Sequence, residues 1–178
     1  MIEIEKKYRL TVDERDRVLR RLRDAGAADR GVKFEENTIY GGGSLERGRS
    51  VLRLRRVGEN ALLTYKERYP RESAVKHQRE DETEVADPAA MAAILDALGF
   101  KPVLVYEKRR QTWVLGETEV VIDELPFGLF MEIEGDEDAI DAAEQTLGID
   151  GLTAEHDTYP QLTEQHGRRS GDLIEARF

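Results

Sequence analysis

Apolar and polar positions alternate with period two over most of this chain. The first case is 2–8, where Ile2, Ile4 and Lys6 fall on one face and Glu3, Glu5 and Lys7 on the other. The same period predicts seven further strands, at about Lys33–Tyr40, Ser50–Arg56, Ala61–Glu67, Lys76–Val85, Val103–Val114, Thr118–Leu125 and Leu129–Gly135. Leu52 and Leu54 oppose Arg53 and Arg55; Leu63 and Tyr65 oppose Thr64 and Lys66. Met131 and Ile133 oppose Glu132 and Glu134.

Between the strands the period changes to that of a helix. Thr11 and Glu14 form a capping box that opens a helix running to about Ala25, with Gly26 as its stop, Val12, Leu19 and Leu22 as its buried stripe and Val18 beside them. Asp87-Pro88 opens a second helix with Met91, Ile94, Leu95 and Leu98 inward and Gly99 at its end. Asp136 caps a third, with Ile140, Ala143 and Leu147 inward and Gly148 as the stop. Tyr159, Pro160 and Leu162 read as a short turn. From Gln165 the composition is polar, so 1–164 reads as a single domain and 165–178 as a poorly ordered tail. Gly41-Gly42-Gly43-Ser44 lacks the Lys-Ser/Thr ending and the following helix of a phosphate-cradling loop, and reads as a plain connection.

Eight strands with one apolar face and three amphipathic helices predict an α+β fold. The charged faces carry acids at Glu3, Glu5, Glu80, Glu82, Asp123, Glu132 and Glu134, and bases at Lys7, Arg53, Arg55, Lys66, Lys108 and Arg110. A single open sheet with one wet face accommodates them. So does a closed eight-stranded antiparallel β-barrel with helices packed on the outside, which also removes the sheet edges. A polar lumen of that kind suits a metal–polyphosphate ligand. Arg and Lys would hold phosphate oxygens, and carboxylates would hold Mg2+ or Mn2+ through oxygen. Salt bridges across the lumen are the alternative use of the same charges, although buried ion pairs are poor stability devices.

Composition narrows the partners. The net charge of −10 argues against nucleic acid held by bulk attraction. There are no cysteines, so thiolate metal sites and disulfides are excluded. No apolar run approaches the ~20 residues of a membrane span, and Glu3 and Glu5 stand where a signal peptide needs apolar residues. No membrane association and a cytoplasmic location are therefore expected, as monomer or homodimer. Seven lysines stand against 20 arginines, and Lys7, Lys66, Lys76 and Lys108 fall on charged strand faces, where a compact ammonium is of use.

Taken in order, these motifs resemble the CYTH superfamily, the class IV adenylate cyclases and thiamine triphosphatases. Glu3-Ile4-Glu5-Lys6-Lys7 matches its opening Glu-x-Glu-x-Lys, and Arg53-Leu54-Arg55 its Arg-x-Arg strand. Thr64-Tyr65-Lys66 is similar to its single-lysine strand and Glu82-Thr83-Glu84 to its acidic strand. Lys108-Arg109-Arg110 followed by Trp113 matches Lys-x-Arg-x-x-Trp, and Asp123 with Glu132-Ile133-Glu134 resembles the closing acidic strands. Thr158-Tyr159 with Leu162 is similar to the terminal signature. Two departures stand out: Gly41 and Gly42 replace an aromatic and an acid, and Gln78 takes the place of an arginine.

The resemblance covers about residues 1–162 and implies a triphosphate tunnel. Lys7, Arg53, Arg55, Lys66, Lys76, Lys108 and Arg110 would bind phosphate, Lys7 and Lys66 in a catalytic role. Glu3, Glu5, Glu82, Asp123, Glu132 and Glu134 would hold metal. The implied activity is a metal-dependent class IV adenylate cyclase converting ATP to cyclic AMP and pyrophosphate. Hydrolysis of tripolyphosphate, thiamine triphosphate or a nucleotide is the alternative, and a non-catalytic polyphosphate or nucleotide binder the second.

Overall fold

The structure is a computed structural model that describes residues 4–46, 49–68 and 78–178. The chain divides into two units: Met1–Phe34, Lys108–Thr158 and Phe178 form one, Glu35–Glu107 and Tyr159–Arg177 the other. Its fold class is α+β, with antiparallel sheet and four helices among the described residues.

The first unit opens with β1 (Ile4–Leu10) and α1 (Val12–Asp24). β6 (Phe100–Leu115) enters it at Lys108, and β7 (Thr118–Leu125), β8 (Gly128–Gly135) and α3 (Glu137–Leu147) follow. These strands lie in the order β6, β7, β8, β1, all antiparallel, and the two-residue β9 (Thr153–Ala154) adds to the far side of β1. The apolar parity of each strand joins the inner faces of α1 and α3 in one core. It holds Trp113, Val120, Ile122, Met131 and Ile133 with Val18, Leu22, Ile140 and Leu147.

Both helix ends of α1 follow from sequence. The Thr11 hydroxyl accepts from the Glu14 backbone N–H while the Glu14 carboxylate takes the Thr11 N–H, which satisfies two of the orphan donors of the first turn. The buried stripe is narrower than expected. Val18 and Leu22 lie about 40° apart around the helix and are fully buried, Leu19 flanks them, and Val12 is 56% exposed.

In the second unit β2 (Ala28–Gly42, from Glu35 on), β3 (Ser50–Val57), β4 (Asn60–Arg68) and β5 (Gln78–Glu84) form successive antiparallel pairs. Their apolar faces bury Tyr40, Leu52, Leu54 and Ala61 against Leu95 of α2 (Pro88–Ala97). Asp87 caps α2 through the backbone N–H groups of Ala89 and Ala90. Of the stripe expected on α2, Ile94 and Leu98 are exposed: Ile94 lies about 100° round from Leu95, and Leu98 is the C-cap residue.

Three further differences from expectation are local. The glycine run ends β2, and Gly42 has φ +98°, with the Gly99 carbonyl 2.5 Å from where a Cβ would stand. Only glycine fits at position 42, so the acid missing there has a steric reason. The expected turn at Tyr159 is a helix, α4 (Tyr159–His166). The stretch expected as a tail carries β10 (Arg168–Ser170) and β11 (Leu173–Ala176), a short hairpin whose second strand pairs in parallel with Leu104–Tyr106 of β6. Its polar composition hid Ile174 and Ala176, which are buried on alternate positions. Arg177 fastens it by ion pairs to Glu36 and Glu107 at 2.5 and 2.8 Å. No helix among the described residues is long and apolar enough to cross a membrane.

Ile140 joins α3 to the sheet at a fully buried position. Ile140→Ala is expected to lower stability by about 2–5 kcal/mol, read by urea denaturation; a loss below about 1 kcal/mol would show that α3 is not anchored there.

Candidate functional site

In the first unit, period two carries Glu5, Lys7, Lys108, Arg110, Asp123, Glu132 and Glu134 to the face away from the core. Five of them form one chain of alternating charge. Lys7 Nζ stands 3.2 Å from Glu132 Oε1, and Glu132 Oε2 accepts from Arg110 Nη2 at 2.5 Å. Arg110 forks on Asp123, Nε to Oδ1 at 2.8 Å and Nη2 to Oδ2 at 2.5 Å, and Lys108 Nζ reaches the same carboxylate at 3.3 Å. The Asp123 side chain is 0% exposed and that of Lys108 3%. Charges buried this deeply persist because each meets an opposite one in hydrogen-bonding geometry.

Lys7 has another partner, the backbone carbonyl of Asp157 at 3.3 Å. The segment that supplies it is tied to β1 through the Glu155 N–H on the Lys7 carbonyl and the Arg9 guanidinium on the Glu155 carboxylate, 3.0 Å away. Burial pushes the Glu155 carboxyl up. Hydrogen bonds from the Asp157 backbone, Arg9 and the His156 backbone more than offset this and leave it below its ordinary value.

One strand pair beyond this chain the register sets three acids abreast: Glu119 of β7 opposite Glu134 of β8, and Glu134 opposite Glu5 of β1. Like charges directly opposite on neighbouring strands are unfavourable without a counter-charge. As the side chains lie, no three acidic or histidine groups among the described residues are drawn into a ready metal cluster.

In the second unit the polar face carries Glu35, Asn37, Arg53, Arg55, Thr64, Lys66, Glu80 and Glu82. Arg55 Nε donates to Asn37 Oδ1 at 3.2 Å and lies 3.7 Å from the buried Glu35 carboxylate. Lys66 pairs with Glu80 at 2.8 Å. Arg53 is held differently. Its Nη2 donates to Thr64 Oγ1 at 3.5 Å, and its positive charge opposes the rise that burial gives the pKa of the Tyr106 hydroxyl. Thr64 Oγ1 in turn donates to Glu82 Oε2 at 2.7 Å. Among the described residues, then, Lys7, Arg55, Lys66, Lys108 and Arg110 each face a carboxylate, whereas Arg53 donates to the neutral Thr64 hydroxyl.

The CYTH domain profile matches residues 1–159. The chain belongs to the CYTH domain family. A Methanocaldococcus jannaschii protein provisionally named an adenylate cyclase is 30% identical over 138 residues, 75% of this chain and 77% of the relative. Among solved structures, a Pyrococcus horikoshii protein superposes with a TM-score of 0.75 at 25% identity, over 90% of this chain and 99% of its own. A Hippeastrum adenylyl cyclase homologue, described as having a dominant triphosphatase activity, shares the fold with a TM-score of 0.69 at 17% identity. That match covers 92% of this chain and 96% of the neighbour.

Of the residues the CYTH motifs single out, Lys7, Lys108, Arg110, Glu5, Asp123, Glu132 and Glu134 lie together on the first unit's face. Arg53, Arg55, Lys66 and Glu82 lie on the second's. Glu3 and Lys76 fall outside the described residues. Sequence reasoning passed over Glu35 and Asn37, both buried, although they share the parity of the charged face, and it passed over Glu119. Thr64 was on the charged face by parity, but as a neutral side chain it drew no weight.

Two outcomes follow from the buried charges. Asp123→Asn removes the counter-charge of Lys108 and Arg110 and should cost about 3–5 kcal/mol of stability, measured by denaturant unfolding; a change under 1 kcal/mol would contradict the network. The depressed Glu155 carboxyl contributes stability that is fully present above the ordinary carboxyl range and is lost as pH falls through its folded value. Glu155→Gln should flatten the acid limb of a plot of melting temperature against pH, and an unchanged limb would count against it.

Proposed function

We propose that this protein is a divalent-metal-dependent enzyme acting on triphosphates, with conversion of ATP to cyclic AMP and pyrophosphate as its leading activity. Arg53 carries the reading: a guanidinium on a charged sheet face, hydrogen-bonded to the neutral Thr64 hydroxyl, keeps its positive charge available for an anion. Arg is suited to phosphate because its planar fork matches two oxygens at once. Lys66, two residues from Thr64 on the same face of β4, is assigned to the reacting phosphate together with Arg55. On the first unit's face Lys7 is assigned to the phosphate chain, whereas Lys108 and Arg110 stay on the Asp123 carboxylate. The reading includes the family's closed eight-stranded barrel. The M. jannaschii relative's name favours cyclisation over hydrolysis. The described activity of the Hippeastrum neighbour supports triphosphate hydrolysis as the second reading.

The acids fit a hard divalent cation. Glu5, Glu134 and Glu119 offer carboxylate oxygens from three adjacent strands, a donor type that Mg2+ and Mn2+ prefer. Glu5 and Glu134 would hold the ion, with Glu132 next to them. Asp123, enclosed by Arg110 and Lys108, is assigned instead as their counter-ion. When bound, the cation supplies neutralisation of phosphate charge. The chain's own part is to orient the triphosphate and hold its charge through Arg53 and its neighbours.

The test is to incubate the protein with ATP or tripolyphosphate and Mn2+ and to separate the products. Cyclic AMP with pyrophosphate is expected; orthophosphate would move the assignment to the triphosphatases, and no product from either would overturn it. Alongside, Mn2+ at about a hundredfold over its dissociation constant should stabilise the wild type by about 2.7 kcal/mol. Glu134→Gln should show a clearly smaller shift in melting temperature, and an equal shift would remove Glu134 from the metal set.

A further inference from the structure

We propose that Thr64 is a positioning residue that keeps Arg53 charged toward the ligand by holding Glu82 away from it. The inference rests on the reading of Arg53 as a phosphate-holding residue. Arg53 of β3, Thr64 of β4 and Glu82 of β5 stand directly opposite one another across three strands. Neighbouring strands lie about 4.8 Å apart, so roughly 10 Å of backbone spacing separates the arginine from the glutamate. Both side chains are long enough to close that gap and pair.

What stands between them is the hydroxyl of Thr64, a residue that is 1% exposed. A threonine hydroxyl has one proton to give and lone pairs to accept with. The proton goes to Glu82 Oε2 at 2.7 Å, and the oxygen accepts from Arg53 Nη2 at 3.5 Å. The carboxylate is thus satisfied by a neutral donor, and the guanidinium bonds a neutral acceptor, the Thr64 oxygen. The comparison with Arg110 shows what the hydroxyl prevents. There two carboxylates bind the guanidinium directly and its charge is compensated. Valine at position 64 would keep the shape and the strand preference of threonine but would leave Glu82 without its donor and free to take Arg53.

The experiment is calorimetric titration of the full-length protein with tripolyphosphate in chelator, so that metal does not enter, beside melting curves for every variant. Thr64→Val should weaken binding about tenfold, the loss of one charge-assisted contact, while Thr64→Ser, which keeps the hydroxyl, should stay within about twofold of wild type. Placed on Arg53→Ala, Thr64→Val should add no further loss, because its effect passes through the arginine. Wild-type affinity in Thr64→Val, or losses that add in the double variant, would overturn the inference while leaving the proposed function standing. Failure of the wild type to bind, or Arg53→Ala binding as tightly as wild type, would overturn the reading of Arg53 itself and this inference with it. Should Thr64→Val not fold, Thr64→Ala is put through the same titrations and the same criteria.

Discussion

Asp123 is completely buried, and it is buried as an ion. An isolated carboxylate in that position would cost several kcal/mol, so the two cations around it are obligatory partners. Arg110 must fork onto it, Lys108 must reach it, and Glu132 then accepts a second hydrogen bond from Arg110 Nη2 and faces the ammonium of Lys7. The charged face of the first unit is organised by that requirement. Its core depends on it too, since β6, β7, β8 and β1 bring these residues to one side only by turning Trp113, Ile122, Met131 and Ile133 to the other.

The second unit solves the same problem with fewer ions. Its core is built from the opposite parity of β2, β3 and β4, covered by α2. Its polar face pairs Arg55 with Glu35 and Lys66 with Glu80 but interposes the Thr64 hydroxyl between Arg53 and Glu82. A cation satisfied by neutral oxygens retains its long-range field, whereas one paired with a carboxylate does not. This contrast sets Arg53, whose side chain donates to a neutral hydroxyl, apart from Arg110, which two carboxylates bind, and composition alone does not make that distinction.

The fold was legible wherever a local rule decides it. Period two marked the faces of the strands, and Thr11, Asp87 and Asp136 marked the helix starts where the structure has them. The charged faces were legible for the same reason, down to the parity of Glu5, Arg53, Lys66 and Glu132. What sequence could not supply was pairing. Which carboxylate Arg110 takes depends on the register of β6, β7 and β8 together, and no stretch of sequence encodes a three-strand register. Thr64 drew no weight because its hydrogen bonds join it to Arg53 and Glu82, which lie 11 and 18 positions away. The C-terminal hairpin was missed because its few buried residues lie among charges, and its anchoring ion pairs reach back to Glu36 and Glu107.

The division of labour between the two arginines is the central claim, and a crystal structure with bound tripolyphosphate tests it most directly. The account predicts a phosphate oxygen at about 2.7–2.9 Å from the Arg53 guanidinium, with Arg110 still forked on Asp123. A bound triphosphate that makes no contact with Arg53, or that strips Arg110 from Asp123 to reach its phosphates, would contradict it.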